Sequence, residues 1–239
     1  MNCLRSLKFI KKLDSKYSKF GLDTILVHPP EWGFEKSKKN ILFAIKKYAI
    51  KFPILLDSNK KIIKKLKINF WPAQILIKNG EIIYKNIGEG CYSELENEII
   101  SYLNIRHAKK FREEPQYTKF PTMYLGKRKN GNVVQLKKGL TFGIIYKNGE
   151  WFQGNEYLLS NGKNSSLTIL TKGFVINFVA GSMSQKSMLI KVKLNDKFIK
   201  NLKINKPQLY KITKLENNKP HKLTLTTEKG LAVYSFSFQ

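Results

Sequence analysis

The chemistry available to this chain rests on two cysteines, three histidines and a modest set of carboxylates. Cys3 stands in front of a lysine-rich stretch in which Leu4, Leu7, Leu13 and Tyr17 recur at helical spacing. A thiol at the start of a helix meets unpaired N–H groups and the positive end of the helix dipole, and both favour the reactive thiolate. Thiol exchange is the chemistry such a placement allows, but taken alone Cys3 reads more plainly as a free cysteine near a helix start. Cys91, far along the chain, precedes a second helical pattern and reads as an incidental thiol rather than a partner for Cys3. The two are too distant in sequence to make a short metal-ligand pair, and His28, His107 and His221 show no zinc spacing. Neither a metal nor another cofactor is expected.

Those residues need elements to hold them. Residues 4–19 predict an amphipathic helix stopped by Gly21, and "LDTILVH" predicts a strand ended by Pro29-Pro30. Residues 36–51 put Ile41, Ala44, Ile45 and Tyr48 on one face with lysines opposite, which is a second helix. "FPILLD" is a short apolar strand and "NKKIIKKLKI" a third helix. "AQILIKNGEIIYKNIG" reads as two strands joined across Asn79-Gly80, a strong hairpin signal. "YSELENEIISYL" closes this half as a helix, with Ser93 as its cap and Glu96 three residues on. Helices alternating with strands in this order predict an α/β domain over 1–105.

The pattern then changes. Residues 106–120 are charged and punctuated by proline, the composition of a linker. From 121 to 239 no helical period persists. "SLTILT", "FVINFVA", "SMLIKVKLN", "KLTLTT" and "LAVYSFSF" recur with Gly, Asn and Asp turns between them, the signature of an all-β sandwich. "LNDKF" reads as the turn of a hairpin within it. In the closing strand, Tyr234, Phe236 and Phe238 alternate with Val233, Ser235 and Ser237, so the aromatic set is expected to face the core.

At 239 residues and 42% hydrophobic the chain can fill two ordinary cores. No apolar run approaches the roughly 20 residues of a membrane-spanning helix, and no secretory signal pattern opens the sequence. The net charge of +27 invites a nucleic-acid reading, yet the basic residues are spread over both halves without a reading motif beside them. No specific nucleic-acid partner is expected.

Several motifs, in their order, resemble a known family. Asn2-Cys3-Leu4-Arg5 resembles the end of the Cys-x-x-Cys helix start in thioredoxin-like domains of the TlpA/DipZ type. Val27, His28, Pro30, Glu31, Phe34 and Glu35 match the family's V-H-x-P-E-x-x-F-E loop, and Trp71-Pro72 matches its cis-proline position before the hairpin. "PTMYLGKR", "GEWFQGNEY" and "QLYKI" resemble the second module of such proteins, a carbohydrate-binding-module-like sandwich of jelly-roll type. The resemblance implies a thiol-disulfide oxidoreductase fold: an N-terminally truncated thioredoxin-like domain lacking its first strand and the first cysteine of the pair, followed by the sandwich.

The same resemblance implies roles for individual residues. Cys3 takes the resolving position and is the catalytic residue. Trp71 and Pro72 flank a substrate groove, and His28 and Glu31 transfer protons. The partners are protein thiols or disulfides and a membrane electron-transfer protein of the cytochrome-c-biogenesis type, outside the cytoplasm. Carbohydrate is a further candidate ligand for which Trp151, Tyr157 and Tyr210 could form a stacking surface, yet sandwiches bury such aromatics routinely and fold resemblance alone does not establish a site. Two other readings stay open: a catalytically silent module binding peptide or carbohydrate, and a basic protein that associates with anionic polymers or lipids through its charge.

Overall fold

The computed structural model describes residues 2–106, 109–111, 120–137, 139–184 and 186–238. The chain divides into two compact units, Met1–Pro115 and Gln116–Gln239. Most of the expected linker, at 107–108 and 112–119, lies outside the described residues.

In the first unit, α1 (Asn2–Tyr17) is followed by β1 (Leu26–His28), α2 (Lys38–Lys47), β2 (Ile54–Leu56) and the short α3 (Lys61–Lys65). The hairpin β3 (Ala73–Lys78) and β4 (Glu81–Ile87) comes next, then α4 (Tyr92–Tyr102). Asn79 and Gly80 carry the positive φ of 50° and 83° that a two-residue hairpin turn demands. Helix α4 is capped two residues earlier than its sequence suggests. Cys91, at φ 55°, occupies the cap position, and its carbonyl accepts from Leu95 N–H at 3.1 Å, so Ser93 falls inside the first turn.

Among the described residues, the strands of this unit do not join into one sheet. β1 pairs with β2 in parallel, and β3 pairs with β4 antiparallel, as two separate two-stranded sheets. The core is correspondingly small: Phe9, Leu13 and Tyr17 of α1 pack on Tyr92, Leu95 and Ile99 of α4. Phe9 and Tyr92 stack with ring centroids 4.5 Å apart. Glu96, fully buried, ties the layer together by accepting from Tyr17 Oη at 2.7 Å, Lys16 Nζ at 2.9 Å and Phe111 N–H at 2.9 Å. Helix α2 buries no residue fully, and Leu42, Leu55 and Leu56 stay exposed.

The second unit, over its described residues, is all strand apart from one short 3-10 turn at Lys127–Lys129. Its strands are β5 (Met123–Tyr124), β6 (Val133–Gln135), β7 (Ile145–Asn148), β8 (Trp151–Gln153), β9 (Leu158–Ser160) and β10 (Ser165–Thr171), then β11 (Val175–Ser182), β12 (Met188–Leu194), β13 (Lys197–Ile204), β14 (Gln208–Lys214), β15 (His221–Thr227) and β16 (Leu231–Phe238). One six-stranded sheet runs β13-β12-β15-β10-β7-β6. The other runs β14-β11-β16-β9-β8, with β5 also on β16. Ile169, Ile190, Val192, Leu223 and Leu225 of the first sheet and Ile176, Phe178, Val233, Phe236 and Phe238 of the second belong to one core.

Strand β16 departs from simple alternation. The β11–β16 register slips between Val179 and Ala180, which pair with Ser235 and Val233, so Tyr234 is the extra residue of a bulge. Val233, Phe236 and Phe238 therefore share the core, and Tyr234 leaves it to pack edge-on against Tyr157 at 5.4 Å. A strict two-residue period could not show this. Gly126, beside β5, is required by a close approach: a Cβ there would come within 2.4 Å of the Asn155 carbonyl oxygen.

Candidate functional site

The first turn of α1 is where the sequence and the structure bring titratable groups together. Cys3 keeps an accessible surface, and it is in no disulfide. Packing around its sulfur, with added repulsion from the Glu31 and Glu35 carboxylates, pushes the thiol up to about 11. A helix start alone would act in the opposite direction. At neutral pH, Cys3 is consequently a protonated thiol whose conversion to thiolate needs a base.

The loop bearing those carboxylates is tightly built. After β1, a 3-10 turn at Gly33–Lys36 folds Glu35 back so that its Oε2 accepts from Glu31 N–H at 2.6 Å and Trp32 N–H at 3.3 Å. His28 Nε2 donates to the Glu35 carbonyl at 3.1 Å. Burial raises the Glu35 carboxyl above its ordinary value, although those N–H donors and His28 pull the other way. The loop motif contains Glu35, but the sequence points to His28 and Glu31 as its proton-transfer residues. The missing signal is three-dimensional, because only the folded turn shows which of the two carboxylates is held by backbone donors.

Behind Cys3, α1 is clamped to the base of the β3–β4 hairpin. Arg5 Nε and Nη2 each reach a Glu89 oxygen at 2.5 Å, a bidentate pair with the Glu89 side chain 9% exposed. Gln74 Nε2 donates to Ser6 Oγ at 3.0 Å, and Asn86 Nδ2 donates to Gln74 Oε1 at 2.8 Å and to the Gly90 carbonyl at 3.1 Å. The Trp71–Pro72 peptide bond is cis, Pro72 is buried, and its carbonyl accepts from Gly88 N–H at 2.8 Å. Pro72 thus connects to Gly88, next to the Glu89 that holds Arg5. Trp71 is half-buried with Lys60 Nζ 5.3 Å from its ring centroid.

The aromatic residues considered for sugar stacking are engaged separately. Trp151 and Tyr210 pack against the core of the second unit, and Tyr210 Oη donates to the Lys206 carbonyl at 2.7 Å. Tyr157 is taken up by Tyr234. Among the described residues, no group of three or more His, Cys, Asp or Glu could hold a metal ion. Nor is any described helix long and apolar enough to cross a membrane.

Comparison with known proteins bears first on the second unit. Residues 101–238, which contain both six-stranded sheets, match the family described as "Thioredoxin like C-terminal domain". The chain belongs to this family. It is 32% identical over 105 residues to Protein DipZ of Mycobacterium bovis, a stretch covering 44% of this chain and 15% of that protein. It is also 32% identical over 95 residues to the thiol-disulfide oxidoreductase ResA of Bacillus cereus, covering 39% of this chain and 52% of the relative. The chain thus spans a small part of DipZ and about half of ResA. Among solved structures, a family 35 carbohydrate binding module from Clostridium thermocellum aligns with a TM-score of 0.33 at 13% identity, over 39% of this chain and 88% of the module.

Proposed function

We propose that the chain carries the resolving half of a thiol-disulfide exchange site, with Cys3 as the resolving thiol. The observation that carries this reading is Cys3 in the first turn of α1, the helix that Arg5 clamps through Glu89 to the base of the hairpin opened by the cis Trp71–Pro72 bond. In the exchange, a substrate sulfur is first bound in a mixed disulfide to a more exposed cysteine. The Cys3 thiol loses its proton to the Glu35 carboxylate, and the thiolate attacks the cysteine sulfur of that mixed disulfide. One S–S bond forms between the two cysteines, the old one breaks, and the substrate leaves as a thiolate that takes up a proton. The raised affinity of Glu35 for protons suits it to this transfer better than a fully solvated carboxylate.

The first cysteine, in this reading, opens α1 directly after a strand lying between β1 and β3. Each of those strands has a pairing partner on one side only among the described residues. Such a strand would make one sheet of the two pairs and complete a thioredoxin-like α/β domain, which the jelly-roll-like module follows in the chain. Pro72, with Trp71 beside it, would present backbone to an extended protein substrate. Protein disulfides are accordingly the substrate class, exchanged outside the cytoplasm with a membrane electron-transfer protein as redox partner.

Insulin reduction tests this. The chain of 239 residues alone should give no sustained turnover, and a version extended by a strand with a Cys-x-x-Cys ending at Cys3 should turn over. Cys3→Ser in the extended version should accumulate mixed disulfides on the first cysteine, read by mass spectrometry. Turnover that survives Cys3→Ser would remove Cys3 from the resolving role.

A further inference from the structure

The outer face of the six-stranded sheet that ends at β13 carries a feature unconnected with the thiol. Residues 186–206, the β12–β13 hairpin and its flanks, hold seven lysines against a single acid, Asp196. That acid is already engaged, its Oδ1 lying 2.8 Å from Lys222 Nζ on the neighbouring β15. Ile190 and Val192 of β12 point into the core, so Leu189, Lys191 and Lys193 point out. The register sets Leu189 opposite Lys203, Lys191 opposite Asn201 and Lys193 opposite Phe198. Lys191 and Lys193 are flanked on their other side by Thr226 and Thr224.

Apolar side chains stand among these ammonium groups. Leu189 is 60% exposed and Phe198 55%. A bulge in the hairpin leaves Ile199 as the extra residue between the Lys193–Phe198 and Val192–Lys200 pairs, and it too is exposed. Lysines on an edge strand ordinarily prevent pairing with a foreign sheet. That role does not account for Lys191 and Lys193, because β12 is an interior strand paired with both β13 and β15. Nor does it account for Leu189 and Phe198 facing water beside them.

We infer that this hairpin face docks on the surface of an anionic lipid bilayer. The lysines meet the headgroup phosphates and carboxylates, and Phe198, Ile199 and Leu189 enter the headgroup–acyl boundary. Charge and exposed apolar groups on one surface are what distinguish a bilayer from a soluble polyanion as the occupant, since a polyanion would use the lysines alone.

The test is sedimentation of the full chain with phosphatidylcholine vesicles and with vesicles containing phosphatidylcholine and phosphatidylserine at about 7:3. Partitioning should be at least about tenfold stronger on the anionic vesicles and fall steeply with salt. K191E/K193E/K203E should lose about tenfold or more, with K191Q/K193Q/K203Q as the substitute if the glutamates prevent folding. L189S/F198S should lose about threefold while keeping the salt dependence. K64E/K65E/K67E, a charge reversal on lysines of the first unit, should lose far less. Equal partitioning on neutral vesicles, an equal loss from K64E/K65E/K67E, no loss from L189S/F198S, or retention on a heparin column with no vesicle binding would each overturn the assignment.

Discussion

The two units of this chain solve the burial problem to very different extents. In the second, two six-stranded sheets enclose a continuous core in which Phe178 and Phe236 stack at 5.9 Å and a run of aliphatic residues is sealed from water. In the first, six buried residues of α1 and α4 make the core, while α2, with apolar residues at helical spacing, covers nothing fully. Apolar burial contributes roughly 25 cal/mol per Å², so the second unit is the stable body and the first is held by a thin layer plus polar clamps. The contrast teaches that a sequence can carry an amphipathic pattern without the surface that would bury it.

The sharpest way to probe that contrast is Phe236→Ala, which should cost about 3–5 kcal/mol by opening a cavity in the large core, measured by chemical denaturation. A loss below about 1 kcal/mol would mean that this core is not what stabilises the unit. In the first unit the comparable lever is polar. Glu96→Ala leaves the Tyr17 hydroxyl and the Phe111 N–H without their acceptor and should cost about 2–4 kcal/mol, seen as earlier exposure of α1 and α4 to hydrogen exchange.

A smaller effect separates the chemistry from the packing. Glu35→Gln keeps an acceptor for Glu31 N–H and removes a charge that raises the Cys3 thiol, so alkylation of Cys3 at about pH 8–9 should speed by about two- to threefold. Unchanged rates would separate the carboxylate from the sulfur. The same thiol gives stability a pH dependence of definite sign. Cys3 is raised from 9.0 to about 11, so its contribution to folding is present below pH 9 and is lost as pH rises through about 11. Smallest of all, Leu42→Ser on the exposed face of α2 should alter stability by no more than about 0.5 kcal/mol, and a larger loss would show that α2 is covered after all.

Much of this was legible in the chain itself. The Asn79-Gly80 and Asn195-Asp196 turns announced their hairpins because few residues accept positive φ at both central positions, here 50° and 83°, and 49° and 64°. Alternation marked the strands of the second unit, and Cys3 at a helix start marked the thiol. Other features depended on partners that local patterns do not contain. "LDTILVH" yields only the three residues Leu26–His28 because a strand extends only as far as a neighbour pairs with it, and β2 is equally short. The helix drawn over "NKKIIKKLKI" shrinks to Lys61–Lys65, where Asp57 Oδ2 accepts from Ile62 and Ile63 N–H at 3.0 Å each and fixes the start. The bulge at Tyr234 and the folding back of Glu35 are likewise products of tertiary contacts.

The pairing of Met123 with Phe236 and of Tyr124 with Ser235 has a consequence for assembly. It joins strands more than a hundred positions apart in the sequence, so the entropy of closing that span must be met before the contact returns anything. β16 also supplies the pairing edges for β11 and β9. Until β16 is in place, β5 through β15 form an unsealed sheet pair whose apolar interior is open to water, the stage at which a chaperone would be most needed.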